Sequence, residues 1–228
     1  PLWQQFLIYL GRLLSGDLGT SSSQHIAVSR LLAEQIGPTL ILTFSSLALA
    51  WVYAILSVVL SANRNRYVTG VGSAIETCLS SLPQSWISLL LLFAFSFSWH
   101  LLPPSGNSGL DTLVLPALAL GLPMGGYIAQ IVREGFGIAM DQPFVLAARL
   151  RGQSDTAIRL RHVLRHAVLP GVSVSAFAIG SLVGNAVLVG LIFSRRGLGR
   201  SLYSAVSDQD MPLAIGITLV VTIVYIIG

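Results

Sequence analysis

The sequence predicts an all-α, polytopic transmembrane helical bundle carrying one polar projection. Three observations lead there. Hydrophobic residues make up 54% of the chain and charged residues 10%, with a mean hydropathy of +0.77. Soluble domains carry roughly a quarter charged residues, so this composition cannot dress a water-facing surface. Apolar runs near the length that crosses a bilayer, about 20 residues, recur five times. Between the third and fourth runs lies one long polar interruption, residues 141–170. It holds Arg149, Arg151, Arg159, Arg161, Arg165, His162 and His166.

In order, residues 1–14 place Trp3, Phe6, Leu7, Leu10 and Leu14 on one helical face. The segment is too short to span and predicts an amphipathic helix at the membrane surface. GDLGTSSS at 16–23 is a turn-rich loop, and VSRLLAEQIG a short helical piece ending near Pro38. The first span covers 38–60 and would rise about 34 Å, enough for the hydrocarbon core. NRNR at 63–66 closes it. The second covers 74–99, with Pro83 inside it and Trp86 and Trp99 beyond. Residues 101–109 form a loop by their Pro and Gly content. The third span, 111–132, contains Pro116, Pro123, Gly121, Gly125 and Gly126. A fourth covers 167–193, and a fifth begins at Pro212. The expectation is one transmembrane domain over residues 1–228, with five spans visible and six in the full chain. It starts without Met and stops inside an apolar run, so a fragment is expected, lacking the end of its last helix and, by the family resemblance given below, its first.

Charge orients the bundle. If residues 61–73 and 133–166 face the cytoplasm, that side holds eight arginines (64, 66, 133, 149, 151, 159, 161, 165). The other side holds five (12, 30, 195, 196, 200). Arginine retention in cytoplasmic loops favours this orientation. Arginines at the ends of apolar runs fit a membrane protein and not a nucleic-acid binder. The lone Cys78 excludes an intramolecular disulfide and reads as a small buried side chain.

Few residues could carry chemistry. Glu76 is the one ionisable group other than tyrosine inside a run, near an end where it can reach water. Ion-coupled carriers need intramembrane ionisable groups, so the driving energy is expected from elsewhere. Gly121-x-x-x-Gly125 and Gly180-x-x-x-Gly184 permit close helix approach. They read first as packing and second as a sliding interface. Ser181 and Asn185, one turn apart, could line a pathway or bond a neighbouring helix. His162 and His166 are four apart, but arginines flank them and no carboxylate or cysteine stands at ligand spacing, so no metal site is expected. Without lysine there is no phosphate-binding G-x-x-x-x-G-K-[ST] loop. Nor is there a set of nucleophile, base and orienting acid. The chain is expected not to be an enzyme and to bind no cofactor itself.

Within the polar stretch, Phe144, Val145, Ala147, Ala148 and Leu150 form a short helical segment after Pro143, and Gly152 ends it. Ser154 is placed to cap a second helix. Such a projection suits either anionic lipid or a protein groove; Phe144 and the two alanines favour the groove.

The motif residues FVLAARLRG at 144–152, followed by RHVLRHAVLP at 161–170, resemble the E-A-A signature of bacterial ABC-importer permeases of the dipeptide, oligopeptide and nickel subgroup. Gly152 and Pro170 stand at that subgroup's separation, and Ala148, Arg149 and Arg151 match in type. Leu146 replaces the general motif's glutamate, and His166 stands where asparagine is usual. PLWQQF, GDLGTS, LSSLPQSW, LVLPALALGLP and IFSRRGLGRSL also resemble family segments in the right order. Arg195 and Arg196 replace the family's Trp-Pro. The resemblance implies a multi-pass permease of the bacterial inner membrane, paired with a second, similar permease. Two ATPase subunits would carry ATP and Mg, and an extracytoplasmic binding protein would deliver substrate. Residues 144–152 would be the coupling helix, with Phe144, Val145, Ala147, Ala148, Arg149, Arg151 and Gly152 serving ATPase coupling. Peptides are the first expected substrate, and nickel or another small solute the second. A secondary carrier or channel, and a non-transporting scaffold, are the readings from other classes.

Overall fold

The helix around which the others pack is α4, Asp111–Met140. In a computed structural model, which describes residues 15–62, 65–106 and 109–227 together with Trp3, Gly11 and Leu13, 61% of its apolar window is buried inside the protein. The corresponding shares are 33% for α1, Val28–Ser61, and 44% for α6, Asp155–Ile192. Small residues explain the difference. A Cβ on Gly121 would lie 2.8 Å from the carbonyl oxygen of Ser46 on α1, and one on Gly125 3.1 Å from the Ala50 Cα. Gly121-x-x-x-Gly125 is thus a packing face, letting two backbones meet as small residues do in membrane helices. In the second pair, Gly180 packs against Tyr225, while Gly184 faces open space.

The remaining elements are α2 (Arg66–Ser81), α3 (Gln84–Ser98), α5 (Pro143–Leu150), α7 (Leu198–Ser207) and α8 (Met211–Ile227). Three buried clusters hold them together. One joins α1, α4, α5 and the start of α6 around Phe136, Val145 and Ile158. A second lies around Leu120, Leu182 and Phe193, and a third around Val28, Leu198 and Ile217. Outside, Phe44, Leu56, Leu60, Phe93, Phe177 and Leu188 are all more than half exposed. An apolar outer belt of this kind belongs in lipid.

Several boundaries differ from expectation. The predicted break at Pro38 is absent: α1 is one helix of 34 residues. Proline removes one donor but not the packing on either flank, and Val28, Leu32 and Leu42 are all buried. The second span is not straight. The helices α2 and α3 meet at 103° across Leu82 and Pro83, because proline drives the preceding residue out of the helical region and Leu82 is extended at φ −75°, ψ 134°. Of the five expected spans, three helices among the described residues are long and apolar enough to cross. The bent pair makes up to four, and α8 is a shorter apolar helix. Cys78 is exposed, not buried, since the inward face of α2 carries Gly72 and Glu76. Apart from Trp3, Gly11 and Leu13, the surface helix expected over residues 1–14 lies outside the described residues.

The two ends of the bundle sort as the arginine count requires. At one end, Arg159 Nη1 donates to the Ala62 carbonyl at 2.6 Å, so the 61–73 connection and the polar stretch lie together. At the other, the Leu198 N–H donates to Thr39 Oγ1 at 3.0 Å, and Asp210 grips the loop at 21–23.

Candidate functional site

The polar stretch forms a projection stitched to the bundle. After Met140, Gln142 is extended ahead of Pro143, which occupies the first turn of α5 where its missing N–H is not needed. Val145 and Ala148, three apart and so on one face, are buried in the cluster around Phe136. Phe144 is half-buried, its ring 4.9 Å from that of His166. The helix ends in a Schellman motif. Gly152 N–H donates to the Arg149 carbonyl at 2.9 Å, and Gln153 N–H to the Ala148 carbonyl at 3.2 Å. Gly152 sits at φ +75° with open space around it, so the turn requires its backbone freedom and not its small size.

Ser154 then caps α6, accepting from the Ala157 N–H at 3.3 Å as expected. Asp155 accepts from Arg159 Nε at 2.7 Å and lies 3.9 Å from Arg149. The Arg149 contact is exposed on both sides and worth well under ~1 kcal/mol. Arg159 is the structural member. Buried, it spans from Asp155 to Ala62, with its guanidinium 5.8 Å from the centre of the Phe136 ring.

The projection therefore shows two faces. Of the seven residues expected to serve coupling, Val145 and Ala148 point into the chain's own core, while Phe144 and Ala147 are half-buried. Arg149, Arg151 and Gly152 are exposed. The outward apolar surface comes instead from Leu146 and Leu150, 62% and 81% exposed and one turn apart. Sequence reasoning passed over this pair. The clue was available: four positions apart, both leucines fall on the face opposite Val145 and Ala148.

A second feature lies between the helices. The bend at Pro83 opens a groove of about 460 Å³ against α4 and α6. Its polar lining is Ser80, Gln84, Ser85, Tyr127 and Asn185, with no charged side chain. Asn185 Nδ2 donates to Ser181 Oγ at 3.3 Å, so Ser181 orients Asn185 and does not itself line the groove. Ser80 accepts from Gln130 Nε2 at 2.8 Å.

Behind this groove Glu76 is fully buried, contrary to the expectation that it reaches water. Arg133 donates to both its carboxylate oxygens, Ser57 Oγ donates to it at 2.6 Å, and Arg133 Nη2 also donates to Ser61 Oγ at 2.7 Å. The ion pair joins α2 to α4. At the far end Asp210 accepts from the Ser21 and Ser23 hydroxyls and from the Ser22 and Ser23 N–H groups. Burial alone would raise its carboxyl, but those donors outweigh it and hold the group well below the usual carboxylate range. In the loop after α6, the buried Arg195 lies against Thr112, with Nη1 3.4 Å from both its carbonyl and its hydroxyl.

Comparison with known proteins decides what kind of molecule this is. The family model described as "Binding-protein-dependent transport system inner membrane component" matches residues 54–228. The chain belongs to this family. Among similar proteins are the glutathione transport system permease proteins GsiC of Salmonella typhi, 32% identical over 214 residues, and of Escherichia coli K12, 30% identical over the same length. Each match covers 93% of this chain and 70% of the relative. Solved structures share the fold. The inward-facing MetNI methionine ABC transporter aligns with a TM-score of 0.68 at 22% identity, covering 87% of this chain and 92% of that one. An amino acid ABC transporter with histidines aligns at 0.63 and 16%, covering 87% of each. The protein is thus an inner-membrane permease subunit of an ABC importer.

Proposed function

We propose that this permease imports small peptides, and that the outward face of α5 transmits the motion of ATPase subunits to the membrane pathway. The observation that carries the proposal is the construction of residues 143–192. A short helix is anchored inward by Val145 and Ala148 and presents Leu146, Arg149, Leu150 and Arg151 outward. It is closed by Gly152 and runs almost directly into a helix of 38 residues that crosses the bundle. A displacement of α5 reaches α6 as a rigid-body shift, because Arg159 and the cluster around Phe136 tie both to α1 and α4. Two leucines flanked by arginines suit an apolar groove with an acidic rim, the pattern of helix-in-groove recognition. The projection end would then be cytoplasmic.

A second permease, two ATPase subunits carrying ATP and Mg, and an extracytoplasmic binding protein complete the assembly. The groove at Pro83 would face the second permease. Its hydroxyls, carboxamides and phenol match the amides of a peptide chain, while carboxylate or imidazole ligands for a metal are absent from its lining. The relatives named as glutathione permeases point to the same class, glutathione being a tripeptide. The test is uptake and ATPase stimulation by the complete complex in liposomes. Arg149→Glu with Arg151→Glu is expected to insert and assemble, keep basal ATPase activity, and lose stimulated uptake. Unchanged uptake and stimulation would overturn the coupling role.

A further inference from the structure

On the second to fourth turns of α6 lies a basic groove of about 360 Å³ lined by Arg161, His162, Arg165, His166 and Leu169. We propose that it binds the phosphate headgroup of an anionic phospholipid. Its spacing is that of one helix face: Arg161, Arg165 and Leu169 form one row, with His162 and His166 beside it. No carboxylate lines it. Among the described residues, Arg161 and Arg165 have no ion-pair partner; Asp155, the nearest acid in sequence, is committed to Arg159 and Arg149. The histidines are held in place, His162 Nε2 lying 2.8 Å from Gln153 Oε1 and the His166 ring packed at a 35° tilt, 4.9 Å from that of Phe144. Two guanidinium forks on a fixed wall match a phosphodiester better than point charges would.

Depth in the membrane selects the source of that phosphate. From Leu169 to Ile192 the helix rises about 36 Å, against a hydrocarbon core of ~30 Å. The few ångströms of excess put Leu169 at the edge of the hydrocarbon, Val172 inside it, and Arg165, about 6 Å further out, in the headgroup layer. Leu169 and Val172 are 61% and 57% exposed, a surface along which an acyl chain can lie below its headgroup. A free phosphate would use the arginines but not this apolar continuation. The inference rests on membrane insertion alone and stands apart from the coupling role of α5.

The complete complex would be placed in nanodiscs of phosphatidylcholine containing a small fraction of phosphatidylglycerol, and lipids retained after detergent extraction counted by native mass spectrometry. Wild type is expected to retain phosphatidylglycerol. Arg161→Gln with Arg165→Gln should weaken retention about thirtyfold. The paired lysine variants, which keep charge and serve as the folding control, should fall between. Arg30→Gln, at the far end of the bundle, should change nothing. Excess inorganic phosphate should not displace the lipid. Equal retention by wild type and the glutamine variant would overturn the proposal. So would displacement by free phosphate, or loss of ATPase association with lipid retention unchanged.

Discussion

Replacing Arg133 while keeping Glu76 strands a carboxylate that has no contact with solvent. Among the described residues, Ser57 Oγ, at 2.6 Å, is the one donor it would keep. Breaking a buried pair from one side costs about 3–5 kcal/mol, whereas replacing both partners by apolar residues of similar volume is close to neutral. At roughly 2–4 °C per kcal/mol for a chain of this size, Arg133→Met should lower the unfolding temperature by about 6–20 °C. Glu76→Leu should cost less, because the Arg133 side chain is 13% exposed and keeps its bond to Ser61. The double variant should recover most of the loss. The assay is scanning fluorimetry of the assembled transporter in nanodiscs at one scan rate, since membrane complexes unfold irreversibly. The cycle isolates the pair: the double variant is expected to lose far less than the sum of the two single shifts in apparent unfolding temperature. Additive single effects would show that Glu76 and Arg133 do not hold α2 to α4.

Two further outcomes follow from the same geometry. Gly152 has room for a side chain but sits at φ +75°. Replacement therefore costs about 1–2 kcal/mol of backbone strain, and coupled uptake should fall in the order Gly, Asn, Ala, Val while membrane insertion stays constant. Equal uptake by Val and Gly variants would refute a role for the turn. Because the Asp210 carboxyl is depressed, its clamp is fully present above the ordinary carboxylate range near ~3.9 and is lost only as pH falls through the lower folded value. Asp210→Ala should free the loop at neutral pH by at least about 2 kcal/mol. Hydrogen exchange over residues 19–28 would read this as roughly thirtyfold faster opening, and unchanged protection would remove Asp210 from that role.

Much of the architecture was legible in the sequence because lipid imposes simple rules. Five apolar runs, turns rich in Pro and Gly, and the arginine bias were enough to place the helices and group their ends; Arg159 reaching Ala62 joins two segments that charge alone had assigned to one side. What stayed hidden depended on contacts between helices. Pro38 and Pro83 look alike in sequence, yet one sits within a continuous helix and the other turns the chain by 103°. The outcome depends on what the flanking residues pack against. Glu76 looked like a helix-end residue because its partner, 57 positions away, stood just past the third apolar run. The projection was found by composition, but its facing was not. Phe144 and the alanines attracted attention as anchors, although Val145 and Ala148 are needed to fix α5 and so leave Leu146 and Leu150 outside.

That facing is what one measurement tests most directly. Single cysteines at Leu146, Leu150, Val145 and Ala148, in a Cys78→Ser background that removes the one native thiol, can be cross-linked to the ATPase subunits of the assembled complex. Leu146→Cys and Leu150→Cys should cross-link, with yields that change when ATP is added. Val145→Cys and Ala148→Cys should not. Cross-linking from the buried pair alone, or from none of the four, would contradict transmission through this face of α5.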